Sequence, residues 1–310
     1  MSSVSVVITV YKRYDFVGKA INSVFSQSFP ANEVIVVADS PGKLGNLSNV
    51  RLVECISEYH GECVVRGVQE STNGLILFLE DDDLFAPNKI TKIVEVFKEI
   101  KPLYVHNLQA YIDVEGREVS RHDKRAFLYE PFQPKSLVSW RSARELIGVW
   151  LKYPALHHNL SSIAVKRDLI LANEDVLSKI RSSLDWAITA LSYSGGVHVP
   201  YRLTYYRLGS GNTSIRGKGE KELERLIRVY ERELESKRTF LKYAQLPPEM
   251  EEFLRFDVYV HNAYLSFLKG KEFDLDLKTY REFMGMRNRT LVPIELSIQL
   301  SLKLSKSLYR

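Results

Sequence analysis

Strand-length runs of β-branched and apolar residues alternate with amphipathic segments from the start of the 310-residue chain, and this alternation constrains the fold more than any other feature. VSVVITV (Val4–Val10), EVIVVAD (Glu33–Asp39), VRLVECI (Val50–Ile56) and GLILFLE (Gly74–Glu80) have the composition of strands covered on both faces. Between them, Asp15 to Ser26 places Phe16, Val17, Ala20, Ile21, Val24 and Phe25 at helical spacing. Gly61 to Thr72 and Pro87 to Ile100 read as two further helices. Such alternation predicts right-handed β-α-β units, and so an α/β fold with a Rossmann-like, mostly parallel sheet flanked by helices.

Further along, Leu103–Asp113, Leu160–Ile170 and Val197–Gly209 read as strands, GREVSRHDKRAFLYEPFQPKS as a loop excursion, and SLDWAITALSYSGG as an amphipathic helix. From Lys218 the composition turns to helix formers and opposed charges. Leu223, Leu226, Ile227, Tyr230 and Leu234 form one apolar stripe, Pro247 and Pro248 end that helix, and two more helices are expected over Glu249 to Leu268 and Leu275 to Arg287. The expected division is a domain at 1–216 and a helical C-terminal domain at 217–310. The tail IELSIQLSLKLSKSLY alternates Leu and Ile with polar residues. It reads either as an element packed on its own domain or as a peripheral membrane contact.

Hydrophobic residues make up 45% and charged residues 26%, as in a folded chain. The net charge is +5, and from Arg216 onward 19 Lys and Arg face 15 Asp and Glu. An excess so diffuse argues against nucleic acid as a partner. No apolar run approaches the roughly 20 residues of a membrane helix, and no signal-peptide pattern precedes the first strand. Cys55 and Cys63 match neither a disulfide framework nor a zinc spacing. They read as small apolar residues of a reducing compartment, which implies a cytoplasmic setting.

The run LILFLEDDDLFAPNKI breaks this apolar pattern, because a buried strand ends in four carboxylates, Glu80, Asp81, Asp82 and Asp83. Like charges packed this closely repel, so a cationic partner is expected. The carboxyl end of a central parallel strand is also where open α/β sheets bind ligands. Hard oxygen donors at this spacing suit manganese or magnesium shared with substrate phosphates, whereas a lone Asp there would be read as a helix cap.

Three blocks, SVVITVYKRYDFVGKAINSVFSQSF, VIVVADS and LFLEDDDLFAP, together resemble the inverting family 2 glycosyltransferases of the GT-A fold over about residues 3 to 215. The resemblance implies a nucleotide-sugar donor, most often a UDP-sugar, a saccharide or lipid-linked acceptor, and Mn2+ or Mg2+ as cofactor. It implies that Thr9, Val10 and Tyr11 cradle the nucleoside, that Asp39 reads the base edge, and that Arg66 lies near a nucleotide-contacting position. Glu80 stands where the family's D-x-D-D has its first Asp, as a sugar- or ribose-contacting carboxylate, with Asp81 beside it. Asp82 is the preferred direct metal ligand, with Asp83 the second metal residue, and read one register differently Asp81 and Asp83 form a literal D-x-D. The general base of the family opens a later helix, which here gives Asp185 in SSLDWAITALSYSGG. Arg207, in YRLTYYRLG, is the charged candidate for closing over the diphosphate.

An inverting transfer needs that separate base to deprotonate the acceptor hydroxyl while the metal neutralises the leaving diphosphate. The alternative for Asp185 is a first-turn acid that favours the helix dipole, and the rest of the pattern favours the base. Two other functions remain on these residues. A nucleotidyltransferase would carry a Gly-rich basic loop, which TVYKRYDF lacks, and a non-catalytic nucleotide-sugar-binding protein would keep the fold without turnover.

Overall fold

The computed structural model describes residues 3–119, 132–209 and 219–271. Contacts within the chain cluster into two units, Met1–Ile215 and Arg216–Arg310. In the first unit β1 (Val4–Val10) is buried along its whole length, as its continuous apolar run requires. β2 (Glu33–Ala38) and β4 (Leu75–Glu80) flank it in parallel, and β3 (Arg51–Glu54) pairs in parallel with β2. Beyond β4 the sheet is mixed. β8 (Ile163–Lys166) runs antiparallel between β4 and β6 (Tyr104–Ile112), and β9 (Gly196–Arg207) is parallel to β6. The short β5 (Leu84–Phe85) and β7 (Val138–Trp140) pair antiparallel with β9.

Three helices follow the expected periodicity: α1 (Val17–Phe25), α2 (His60–Gln69) and α3 (Lys89–Glu99). Val17, Ala20, Ile21 and Val24 of α1 and Ile90, Ile93 and Phe97 of α3 share one core with Val6, Ile8, Leu77 and Leu79 of the sheet. The other sheet face takes α2 at very close range. A Cβ on Gly67 would lie 2.5 Å from a Val7 methyl and 2.8 Å from a Val37 methyl, so only glycine lets this helix lie so near the strands.

Two segments differ from expectation. Only Ile163–Lys166 of the expected Leu160–Ile170 strand is extended; Leu160–Ser162 forms a 3-10 turn, and Arg167–Leu171 is helical, as is a segment upstream. That upstream helix, α4 (Ala143–Lys152), was not anticipated, although Ser142 and Glu145 carry a capping-box spacing. The Ser142 hydroxyl accepts from the Glu145 N–H at 3.3 Å, and Glu145 reaches back to the Arg141 N–H at 2.7 Å. After α5 (Arg167–Leu171) come α6 (Glu174–Leu177) and α7 (Leu184–Leu191).

Cys55 and Cys63 are joined as a disulfide, which corrects their reading as unpaired apolar residues and removes that argument for a reducing compartment. Cys55 leaves β3 and Cys63 lies in the first turns of α2, so the intervening loop doubles back and brings their Cα atoms to 5.6 Å. Spacing along the chain does not reveal such a reversal.

In the second unit α8 (Glu220–Tyr243) and α9 (Pro248–Leu268) form a helical hairpin. Leu226, Leu234 and Phe240 are buried, as are Met250, Phe253 and Leu254. Lys237 and Asp257 pair at 2.7 Å, and Lys269 meets Glu231 at 2.6 Å. No helix among the described residues is long and apolar enough to cross a membrane. The expected Leu275–Arg287 helix and the alternating tail lie outside the described residues.

A disulfide of this short span stabilises mainly by restricting the unfolded chain, by about 2–3 kcal/mol. Urea unfolding of a Cys55→Ser/Cys63→Ser variant is expected to show a loss of that size. Thiol titration of the native chain should find no free sulfhydryl, and two reactive thiols would remove the cross-link.

Candidate active site

The carboxyl ends of β1, β2 and β4 meet at one edge of the sheet, where Thr9 pairs in register with Val37 on one side and Glu80 on the other. Past Glu80 the chain turns, and the Asp83 N–H donates to the Glu80 carbonyl at 3.3 Å. Asp81, Asp82 and Asp83 are only 3%, 4% and 0% exposed. Carboxylates buried to this degree need partners, and the chain supplies them. Arg13 donates through Nη2 to Asp81 Oδ1 at 2.6 Å and through Nη1 to Asp82 Oδ2 at 3.0 Å. Asp83 Oδ1 accepts from the Arg207 N–H at 3.0 Å, and Oδ2 accepts from Asn159 Nδ2 at 2.9 Å.

Burial pushes the Asp81 carboxyl up to about 7 despite the opposing pull of Arg13. Asp83 is also pushed to about 7, first by burial and then by repulsion from Asp82, while its hydrogen bonds act in the other direction. Glu80 is raised well above the usual carboxylate range, again by burial first, with Asp83, Asp82 and Asp185 adding repulsion.

Arg207 is fully buried, which corrects its expected role as a side chain closing over the diphosphate. Its Nε donates to the Asp82 carbonyl at 2.8 Å, its Nη1 donates to the carbonyls of Asp113 and Val114 at 2.9 and 3.0 Å, and its guanidinium lies over the Phe16 ring. The side chain is a strut beneath the turn. Lys89, which sequence reasoning passed over, lies beneath it as well. Its Nζ donates to the Ser161 carbonyl and to Thr204 Oγ1, and burial lowers its proton affinity against the pull of Asp83.

Asp185 sits in the first turn of α7, half-buried, after Ser183 in the left-handed region at φ 57°. Its Oδ2 accepts from the Asn159 N–H at 3.1 Å, and its Oδ1 accepts from the Trp186 N–H at 2.9 Å. Asn159 thereby joins two distant segments, because its backbone holds Asp185 while its amide holds Asp83. The same side chain accepts from the Ser161 N–H at 2.7 Å, and the backbone at Asn159 is left-handed, with φ 77°. Asn is among the residues that tolerate that region. The sequence signal was present only as an Asn ahead of a strand.

His60 is another residue that sequence reasoning missed. The Gly61 N–H donates to the Ile180 carbonyl at 2.9 Å, and a Cβ on Gly61 would lie 1.9 Å from the Leu177 carbonyl oxygen. This close docking brings His60 Nε2 to 3.1 Å from Thr9 Oγ1. Burial lowers the imidazole to about 4 although Asp185 pulls upward, so His60 is neutral near pH 7.

The remaining predicted residues divide. Val10 is buried, and its carbonyl accepts the Asp39 N–H at 3.4 Å, whereas Tyr11 is 43% exposed at the mouth of the site. Asp39 Oδ1 accepts from the Tyr14 hydroxyl at 2.6 Å and from the Lys12 N–H at 3.3 Å. Arg66 is not brought to this edge. It is exposed on α2, six residues beyond His60 and so about 9 Å further along the helix axis.

The donor chemistry suits a hard divalent ion, with limits. Both Asp83 oxygens are engaged inside the protein, which leaves Asp82 as the direct ligand expected of the pair. Among the described residues no three His, Cys, Asp or Glu side chains are arranged to hold a metal by themselves. One or two carboxylates completed by substrate phosphates is a common magnesium environment, and the site fits that pattern.

Residues 5–148 match the model of glycosyl transferase family 2. An uncharacterized glycosyltransferase of Rickettsia bellii is 29% identical over 136 residues, which are 41% of this chain and 19% of that protein. Another, from Nostoc, is 28% identical over 107 residues, 31% of this chain and 33% of that protein. The chain thus matches only a fifth to a third of these relatives' length. Among solved structures, S. aureus TarS 1-349 superposes with a TM-score of 0.57 at 14% identity, covering 91% of this chain and 78% of that one. TarS 1-349 in complex with UDP-GlcNAc gives 0.51 at 14% identity, covering 90% and 89%. These likenesses establish the GT-A-like fold.

The buried carboxyls carry a pH signature. Asp81 binds its proton up to about 7 when folded but only to about 3.9 when unfolded. The folded state therefore holds more protons in that interval, and the contribution of Asp81 to stability falls as pH rises from about 4 through 7. Relative to the native chain, Asp81→Asn is expected to be more stable at pH 8 than at pH 5 in urea unfolding. An unchanged difference would return Asp81 to the ordinary carboxylate range.

Proposed function

We propose that this chain, whose N-terminal unit carries a family 2 glycosyltransferase domain, moves a sugar from a nucleoside-diphosphate donor to an acceptor hydroxyl with inversion at the anomeric carbon. The observation that carries this reading is the pair of Asn159 bonds. They tie Asp185, the proposed base, to the carboxylate turn after β4, the proposed donor end, through a single residue. Two carboxylate groups from distant segments are thereby held at one strand edge, as a displacement with base and leaving group on opposite sides of the sugar needs. TarS has been crystallised in complex with UDP and with UDP-GlcNAc, which favours a UDP-sugar donor here.

In this reading Tyr11 stacks on the base, Asp39 reads its edge, and Thr9 with His60 lines the nucleoside side. Glu80 contacts the ribose or the sugar. Asp185 takes the acceptor proton as the acceptor oxygen bonds to the anomeric carbon. The bond from that carbon to the diphosphate oxygen breaks, and the nucleoside diphosphate leaves with the electron pair. A manganese or magnesium ion held by Asp82 would supply positive charge beside the departing diphosphate. The acceptor is a glycan or lipid-linked saccharide.

Asp185→Asn keeps the size of the side chain and removes the base. Transfer, followed as release of UDP from a UDP-sugar, is expected to fall on the order of a thousandfold. UDP affinity by calorimetry should stay within about threefold, since Asp185 acts on the acceptor. Full turnover by this variant would assign the base elsewhere, and an absence of turnover in the native chain across UDP-sugars would favour the non-catalytic binding protein.

A further inference from the structure

The cation that neutralises Asp81 and Asp82 in this structure is a side chain of the protein. Arg13 spans both carboxylates with separate nitrogens, at 2.6 and 3.0 Å. Its side chain is 35% exposed while theirs are 5% and 6% exposed, so it forms the solvent-facing cover of the pair. A divalent ion approaching Asp82 meets this guanidinium first, and two cations on one carboxylate repel each other.

The loop that bears Arg13 is fixed at both flanks by the residue assigned to base reading. Asp39 Oδ1 accepts from the Lys12 N–H on one side of Arg13 and from the Tyr14 hydroxyl on the other. The Tyr14 hydroxyl in turn accepts from the Ser40 N–H at 2.9 Å. Lys12 is in the left-handed region at φ 60°, a conformation that costs a non-glycine residue energy and persists only when its surroundings hold it. Tyr11 stands at the start of the same loop, directly before Lys12. A group that engages Asp39 or Tyr11 therefore acts on the same four-residue segment that aims Arg13.

We propose that Arg13 is a positioning residue that keeps Asp81 and Asp82 closed to a divalent ion until a nucleoside diphosphate engages the Tyr11–Tyr14 loop. This inference rests on the donor-site reading above. When the nucleotide binds, its diphosphate offers Arg13 an alternative anion of matching fork geometry. The carboxylate that Arg13 releases is then open to the ion. Nucleotide and ion binding are thus coupled through Arg13, and by linkage each strengthens the other.

The test measures Mn2+ binding by electron paramagnetic resonance in the full chain, with and without saturating UDP, for the native protein, Arg13→Gln and Arg13→Lys. The native protein is expected to bind Mn2+ weakly alone and at least about tenfold more tightly with UDP. Arg13→Gln should tighten nucleotide-free Mn2+ binding by about tenfold while changing the UDP-bound affinity less than threefold, so the coupling shrinks by the difference. Arg13→Lys keeps a charge that cannot span both carboxylates and should fall between the two. Equal nucleotide-free affinities in all three proteins, with UDP still tightening each, would overturn the role of Arg13 and leave the donor-site reading standing. Failure of UDP to alter Mn2+ binding in any of them would remove the donor-site reading and the inference with it.

Discussion

The structure around the strand edge is organised by one electrostatic requirement, the burial of carboxylates that repel one another. Asp81, Asp82 and Asp83 are almost inaccessible to water, and their charge is tolerable in that state only with donors or cations in direct contact. Arg13 meets Asp81 and Asp82 from the loop after β1, while Asn159 and the Arg207 backbone meet Asp83 from opposite segments. Even so, two of the carboxyls are pushed to about 7. Perturbation of this kind is typical of sites where chemistry is done.

The same requirement places the proposed base. Asn159 can serve Asp83 and Asp185 together because the short turn Leu160–Ser162 ahead of β8 leaves it in a left-handed conformation beside both. β8 runs antiparallel to β4, so its entry, and not its exit, lies at the edge where β4 ends. In an all-parallel arrangement that entry would lie at the other edge. The antiparallel strand is thus what brings Asn159, and through it Asp185, to the carboxylate turn. Beneath them Arg207 and Lys89 fill the space with fully buried side chains that bond to backbone carbonyls, which fixes the turn from below.

Much of this was legible in the residues. The apolar runs at Val4–Val10 and Leu75–Glu80 announced buried parallel strands, and the helical spacing in Asp15–Ser26 and Pro87–Ile100 found α1 and α3, because one-dimensional periodicity reports directly on which face is buried. The placement of Glu80 to Asp83 at a strand's carboxyl end followed from the same pattern. Arg13, His60 and Asn159 could not be found this way. Each is a single polar residue with no periodicity, and its importance comes from a partner 68, 51 or 76 positions away. The charge of Arg207 is legible but its surroundings are not, since nothing in YRLTYYRLG tells a solvated guanidinium from one bonded to the carbonyls of Asp82, Asp113 and Val114.

By itself the sequence determined the α/β class, the strand that ends in carboxylates, the two helices within residues 219–271 and the need for positive charge beside Glu80 to Asp83. These are properties of local pattern and composition. Only the tertiary structure decided which charge answers that need, which carboxylates turn inward, and that Cys55 and Cys63 meet. Pairings of this sort depend on how the chain returns to itself, and the energy that selects them, the desolvation of a charge matched by one contact, is defined only once the surrounding atoms are in place.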